Sequence, residues 1–537
     1  MTTRQLAAFH IGKFKAFNQT QRIPIKPITL VFGPNSAGKS SFIQSLALAH
    51  EACRMPDRTL DIHHTQLGGR AIELGGFQQY VHRRDISQQV TWGIELNAEQ
   101  LNANLASLCG NAKIIHFQVD FGVLLDDQGK PIGSPVANFM TISADGLEWL
   151  RFARRKSGSN QLILLSLHPQ QPILSLLAQR LGKDHDAAEL AQTIARFLPA
   201  VIVHAKGLLP FIPPVTESTS IESRFMDMLR TFINGVTMSI EKELNHLQYL
   251  GPLRSLPPRH IAFAERDDTD WFAGGGFAWD VVRKNEQVRA TVNAWLGSSK
   301  LKTPYQLKVR SFIPLDQAMF PIMAGLRDLF GHYEEIIAPD EAQEDQEQGE
   351  LRHSTYYLGQ DQYLLQDQAS ALVKKMETAQ TDTIDELVLI DQRNNTIVAH
   401  CDVGTGISQV LPVLVMAYGA RRQLLAIEQP EIHLHPALQA ELGDVFIDTA
   451  LSERQNTVIL ETHSEHLILR LLRRIRETTE GELPEGLLPL TPADVCVIYI
   501  QPDGAGSRAI EIDITTDGDF AQNWPDGFFA ERAKELF

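Results

Sequence analysis

The sequence predicts an α/β fold in which N- and C-terminal segments together form one lobe, with a large, mainly helical lobe inserted between them. Three observations carry this expectation. Residues 33–40 read Gly33-Pro34-Asn35-Ser36-Ala37-Gly38-Lys39-Ser40, a complete G-x-x-x-x-G-K-[ST] phosphate-binding loop. Short apolar runs ending in acidic and polar residues lie far downstream, at 424–428 and 458–464. Between these ends, the pattern from about 160 to 250 is mostly helical, with breaks at Pro199 and at Phe211-Ile212-Pro213-Pro214.

The loop has the flanks its chemistry needs. Ile28-Thr29-Leu30-Val31-Phe32 has the composition of a buried strand, and residues 41–50 are apolar at helical spacing. Strand, turn and helix together aim backbone N–H groups and the positive end of a helix at phosphate oxygens. Gly33 and Gly38 allow backbone geometry that a side chain would block. Lys39 reaches toward β- and γ-phosphates, and Ser40 is placed to ligate Mg²⁺. The run from Gly33 to Ser41 is thus the expected nucleotide site, with ATP and Mg²⁺ as its cofactors.

Before the loop, residues 9–17 read as a strand and turn, and 23–28 lead into the loop strand. Residues 72–150 hold several β-like stretches, among them 89–96 and 114–125. After the helical region comes a turn-rich stretch with Gly251-Pro252, Pro257-Pro258 and Gly274-Gly275-Gly276. Residues 339–350 are acidic and Gln-rich and read as a mobile loop. Short strands and helices resume from Thr383. No repeat and no sustained heptads are present. The expected boundaries are 1–95 and 385–537 for the two halves of the sheet domain and 96–384 for the insertion.

Composition narrows the class. With 537 residues and 43% hydrophobic content the chain has material for large cores and more than one domain. No run approaches the roughly 20 apolar residues of a membrane span. Met1-Thr2-Thr3-Arg4-Gln5 does not resemble the start of a signal peptide, so a cytoplasmic protein is expected. Cys53, Cys109, Cys401 and Cys496 lack metal-ligand spacing and read as reduced thiols. A net charge of −16 speaks against bulk attraction to DNA. Arg470, Arg473, Arg474 and Arg476 form one local basic cluster, either a nucleic-acid contact or a solvated helix face.

The downstream runs supply the rest of a site. Leu424-Leu425-Ala426-Ile427-Glu428 is an apolar run ending in an acid, the form of a central strand that delivers a carboxylate to Mg²⁺ beside a phosphate loop. Gly404-Thr405-Gly406-Ile407-Ser408-Gln409 is a glycine-rich turn leading into an apolar helix over 410–418, a second candidate anion site. Val458-Ile459-Leu460-Glu461-Thr462-His463-Ser464 ends in a polar group whose His463 is placed to contact a γ-phosphate or an attacking water.

In this order, the motifs resemble the ABC-type ATPases, and within them the heads of the RecF, SMC and OLD-like group, closest to its stand-alone prokaryotic AAA-family ATPases. The matching phrases are Phe14-Lys15-Ala16-Phe17, the phosphate loop, Tyr249-Leu250-Gly251-Pro252-Leu253-Arg254, the segment 428–436, Glu461-Thr462-His463-Ser464-Glu465-His466, and Trp524-Pro525-Asp526-Gly527-Phe528-Phe529. The resemblance implies that Gly404, Thr405, Gly406 and Ser408 form a signature that closes over ATP held by a second subunit, and that His463 is a switch histidine. It also suggests Phe77-Gln78-Gln79 as a Mg²⁺-sensing loop and leaves Arg254 as either a phosphate contact or a structural arginine.

One position departs from the pattern. ABC-type enzymes usually follow the magnesium acid with a second carboxylate as general base; here that position is Gln429. An amide orients water but does not accept its proton at neutral pH. Either Glu431 provides the base, or hydrolysis is slow and ATP acts mainly as a dimerising ligand. The expected function is a homodimeric or higher-order ATPase switch in nucleic-acid transactions, in anti-phage defence or DNA repair, with a separately encoded effector such as a nuclease. Alternatives are a scaffold with little hydrolysis and an ABC transporter ATPase. No nuclease domain is expected: Asp517-Gly518-Asp519 reads as a turn.

Overall fold

The computed structural model describes residues 5–54, 59–155, 161–181, 190, 193–194, 196, 201–214, 220–254, 270–297, 300–312, 384–398 and 405–522. The acidic stretch 339–350, Cys401, Gly404 and the segment 524–529 lie outside them. The chain divides into two compact units, one of Met1–Pro257, Glu265–Tyr305 and Ala399–Phe537, the other of Pro258–Ala264 and Gln306–Val398.

The first unit contains a six-stranded sheet in the order Leu247–Leu250, Leu424–Glu428, Thr457–Glu461, Ile28–Phe32, Val495–Asp503, Gly506–Ile512. The first five strands run parallel, and the last closes an antiparallel hairpin. Every residue of Ile28–Phe32, Leu424–Glu428 and Thr457–Glu461 is buried. That is why these strands are continuous apolar runs: a parallel sheet is covered on both faces. The phosphate-loop strand is central. Register is level across it, with Glu461 opposite both Val31 and Glu428, so the carboxyl ends of three strands share one edge.

A nine-stranded antiparallel sheet belongs to the same unit. Its order is Leu209–Phe211, Ile202–Lys206, Gln161–Leu167, Leu147–Arg154, Pro131–Ala144, Ile114–Leu125, Val90–Asn97, Leu6–Gly12, Gln21–Pro24. Residues 96–257 therefore do not form a body apart from the N-terminal segment, contrary to the expected boundary at 95: Val90–Asn97 pairs with Leu6–Gly12 on one side and Ile114–Leu125 on the other. The helical expectation for 160–250 holds for Pro172–Leu181 and Ile221–Asn245, whereas Gln161–Leu167, Ile202–Lys206 and Leu209–Phe211 are strands. Short apolar runs of this length do not reveal their type by periodicity alone.

Ile221–Asn245 lays its apolar face, from Phe225 to Leu244, into the core that also buries Phe9, Phe42, Trp92 and Phe117. Cys53, Cys109 and Cys496 are buried and form no disulfide among the described residues. In the second unit the described residues form a three-stranded sheet, Tyr305–Phe312, Ile384–Asp391 and Thr396–Val398, whose hairpin is closed by the Arg393 guanidinium on Asp391 at 2.7 Å.

Candidate functional site

The phosphate loop is held open by close packing. Gly33 has φ +146°, and a Cβ there would sit 2.4 Å from the carbonyl oxygen of Ile500. Gly38 has φ +99°, and a Cβ there would meet the Ala16 Cβ at 2.3 Å. The tight Phe14–Phe17 turn, closed by reciprocal backbone hydrogen bonds at 3.1 and 2.8 Å, thus braces the loop. Asn35 and Ser36 are exposed, Pro34 half-buried, and Ala37 and Ser41 buried. The helix Lys39–Arg54 starts directly on the loop, so its positive end faces the space the loop encloses.

Lys39 is 5% exposed, and its ammonium donates to the carbonyls of Gly33 and Pro34 at 3.0 and 2.9 Å. Burial lowers its pKa against the opposing charges of Glu461, Glu428 and Glu431, which places all three carboxylates within electrostatic reach. Lys15, outside the residues singled out above as the nucleotide site, brings a second amine: it donates to Gln44 Oε1 at 2.5 Å, and Glu428 acts on its charge.

Glu428 ends its strand 6% exposed, accepting a hydrogen bond from the Tyr249 hydroxyl at 3.1 Å. Burial first, and then the neighbouring Glu461 carboxylate, raise its pKa. Ser40, expected beside Glu428, donates its hydroxyl to Glu461 Oε1 at 3.1 Å. Glu461 is 4% exposed and its other oxygen, Oε2, is buried with no partner among the described residues. Sequence reasoning placed this residue at the strand end but gave it no role. Its nearness to Ser40 follows from strand order, since Thr457–Glu461 lies between the acid strand and the loop strand.

Gln429 adopts φ +46° and donates its backbone N–H to the Glu461 carbonyl at 2.7 Å, so the chain turns sharply after the acid. Glu431 is 6% exposed. Its Oε1 accepts the backbone N–H of His463 at 2.7 Å, and its Oε2 is buried with no hydrogen-bond partner among the described residues. His463 is half-buried, and burial followed by the Lys39 charge lowers its pKa, favouring neutral imidazole. Two orphaned carboxylate oxygens beside a phosphate loop fit a site built to receive a cation and its ligands. Ser40 and Glu428 would hold Mg²⁺, and the loop N–H groups with Lys39 would hold the phosphates.

Arg254 reaches no open space. Its guanidinium donates to the carbonyls of Gln409, Glu428 and Gln429 at 3.2, 2.9 and 3.1 Å, and Gln409 returns a bond to the Arg254 carbonyl at 2.9 Å. It ties the acid turn to the helix Thr405–Gly419, which is the structural arginine of the two alternatives. In that helix Gly406 and Ile407 are half-buried, while Ser408 is 2% exposed and so is not presented outward as the signature expectation requires. A Cβ at Gly406 would lie 2.9 Å from the His433 carbonyl oxygen, which packs the helix start on the turn after the acid strand. Gln78 and Gln79 are exposed on a short helix, Phe77–Tyr80, whose Tyr80 carbonyl accepts the Lys15 N–H at 2.7 Å. Three of the four arginines of the basic cluster are paired, Arg470 with Glu441 and Asp444, Arg473 with Glu477, and Arg474 with Asp444 and Glu477.

Residues 333–468 match the family described as the AAA ATPase domain, a segment that includes Glu428, Gln429, Glu431 and His463. That segment is similar to an ATPase domain. No curated protein matches it. Similar solved structures include an SMC head bound to the C-terminal winged-helix domain of ScpA, at 8% identity and TM-score 0.36, covering 95% of this chain and 98% of that one. The SMC head domain of Thermotoga maritima is 7% identical with TM-score 0.32, covering 95% of this chain and 100% of the other. A Pyrococcus furiosus Smc head with an extended coiled coil, bound to the C-terminal domain of ScpA, is 8% identical with TM-score 0.33, covering 99% of this chain and 98% of the other. Among the described residues no helix is long and apolar enough to cross a membrane.

Proposed function

We propose that this protein is an ABC-type ATPase of the RecF, SMC and OLD-like kind, acting as an ATP-dependent switch between copies of itself. What supports this best is one convergence: Lys39 and Ser40 from the N-terminal segment, and Glu428, Glu461 and His463 from the C-terminal one, meet at the carboxyl edge of one parallel sheet. Bound Mg²⁺ would neutralise charge between the β- and γ-phosphates. Lys39 would turn from the Gly33 and Pro34 carbonyls to the phosphates, and neutral His463 would hydrogen-bond the γ-phosphate side. Glu431 is the base candidate, with one oxygen anchored on the His463 N–H and the other unpartnered; Gln429, on the strained turn, orients water.

A nucleic-acid role in defence or repair, with a separate effector, extends the same reading. The ion pairs of Arg470, Arg473 and Arg474 leave those three guanidiniums less available to phosphates. A scaffold with little hydrolysis is the second reading, favoured by the amide at Gln429. Phosphate release measured with and without DNA separates them: turnover raised by DNA supports the switch, and turnover at the no-enzyme background in both conditions supports the scaffold.

A further inference from the structure

We propose that Glu461 is a metal-holding carboxylate of this site, seating Mg²⁺ beside Ser40 together with Glu428 on the neighbouring strand. The proposal rests on the nucleotide-binding reading and adds a ligand to it. Directly paired residues of neighbouring strands point to the same face, and Glu428 and Glu461 are so paired at the ends of parallel strands. Two carboxylates brought side by side out of water repel each other, and the arrangement persists only with a proton or a cation between them.

No cationic side chain of the described residues supplies that charge by direct contact. The Lys39 ammonium is committed to the Gly33 and Pro34 carbonyls, and the Lys15 ammonium to Gln44. No ion pair among the described residues reaches either carboxylate. The hydroxyl that a phosphate loop offers to magnesium, Ser40 Oγ, already points at Glu461 Oε1 at 3.1 Å, not at Glu428. Glu428 is drawn aside by the Tyr249 hydroxyl. The remaining oxygen of Glu461, on a side chain 4% exposed, has no partner among the described residues. A buried acceptor left open this way is expensive unless a ligand completes it. A divalent cation at Ser40 would complete it and relieve the repulsion from Glu428 at once. Glu461 thereby returns to the site a carboxylate that Gln429 does not provide, but for the metal and not for proton transfer.

The consequence is a strong coupling between metal and nucleotide. Without a cation, both carboxylates oppose the phosphates; with it, they bind through it. The test measures ATP affinity by calorimetry in EDTA and in Mg²⁺, for the parent protein and for Glu461→Gln, taking the ratio of the two affinities. The parent should gain strongly from Mg²⁺. Glu461→Gln should bind ATP equally or more tightly in EDTA, and its gain from Mg²⁺ should fall roughly ten- to a hundredfold, the loss of one charge-assisted contact. Glu461→Asp, which keeps the charge on a shorter stem, should recover part of the gain, and serves if the glutamine variant melts early. An unchanged Mg²⁺ gain in Glu461→Gln, or in Glu461→Asp a gain no better than that of the glutamine variant, overturns the proposal. A parent protein that binds ATP in neither condition overturns the nucleotide reading itself, and the metal assignment with it.

Discussion

At Lys39 the loop is its own ligand: the ammonium caps the carbonyls of Gly33 and Pro34. Phosphate oxygens would replace those carbonyls as stronger, charged acceptors. Lys39→Ala should weaken ATP binding roughly ten- to a hundredfold, the worth of one charge-assisted hydrogen bond. A calorimetric titration that finds the parent affinity unchanged would remove Lys39 from the site. Glu431 poses a finer question, because its Oε1 is structural and its Oε2 is open. Glu431→Gln keeps an acceptor for the His463 N–H but removes the base. We expect turnover to vanish while ATP stays bound. Gln429→Glu should leave turnover equal or raise it. Phosphate release insensitive to both substitutions would put the base elsewhere. The loop residues and Glu428 were legible because their motif fixes chemistry and spacing together. Glu461 was not, because its role depends on which strand lies between two others, and a linear sequence does not state strand order.

Among the elements, the strands at one edge of the large sheet are pinned by a charge cluster. Glu95, buried on Val90–Asn97, bonds His10 Nε2 of Leu6–Gly12 at 2.7 Å and the Arg22 guanidinium of Gln21–Pro24 at 2.8 and 2.7 Å. Burial pushes the Glu95 carboxyl up, but the hydrogen bonds and charges of His10 and Arg22 outweigh it and hold the carboxyl at about 2, against an ordinary 4.5. Its folded pKa is depressed, so its stabilisation is fully present above about 4.5 and is lost as pH falls through about 2. The shift corresponds to on the order of 3 kcal/mol at most, reduced by the half-exposed Arg22. Denaturant melts should show the parent more stable than Glu95→Gln at pH 6, with the gap closing steadily below pH 4.5. A gap that stays constant across that range would mean the cluster carries no linked proton. The β character of 89–96, with its partial alternation, and of 114–125 was legible, and the strands run Val90–Asn97 and Ile114–Leu125. The runs at 161–167 and 202–206 were not legible, because pairing with neighbouring strands, and not local periodicity, decides such short apolar segments for strand.

For the whole molecule, the question is whether ATP joins two copies. A phosphate loop covers one side of the γ-phosphate and leaves the other to water, so a second surface with anion-binding donors would complete the site. The helix beginning at Thr405 is the candidate surface, and Arg254 couples its Gln409 to the carbonyls of Glu428 and Gln429 in the same copy. Nucleotide held at one site would thus be felt at the start of the same copy's helix, the surface offered to the other copy's nucleotide, through a chain of buried hydrogen bonds. Because Ser408 is buried, the half-buried Gly406 and its backbone are the better candidates for contact. Gly406→Asp should spare ATP binding and abolish both turnover and ATP-dependent association, since it sets a negative charge against phosphate oxygens. Any side chain there also presses on the His433 carbonyl, at 2.9 Å from an ideal Cβ. Gly406→Ala brings the same steric contact without the charge, and should retain most of the association. Sedimentation with ATP and Mg²⁺ on the parent and both variants decides the matter. Asp and Ala alike in losing association would make the effect steric, and all three alike would mean that this helix does not face a partner's nucleotide.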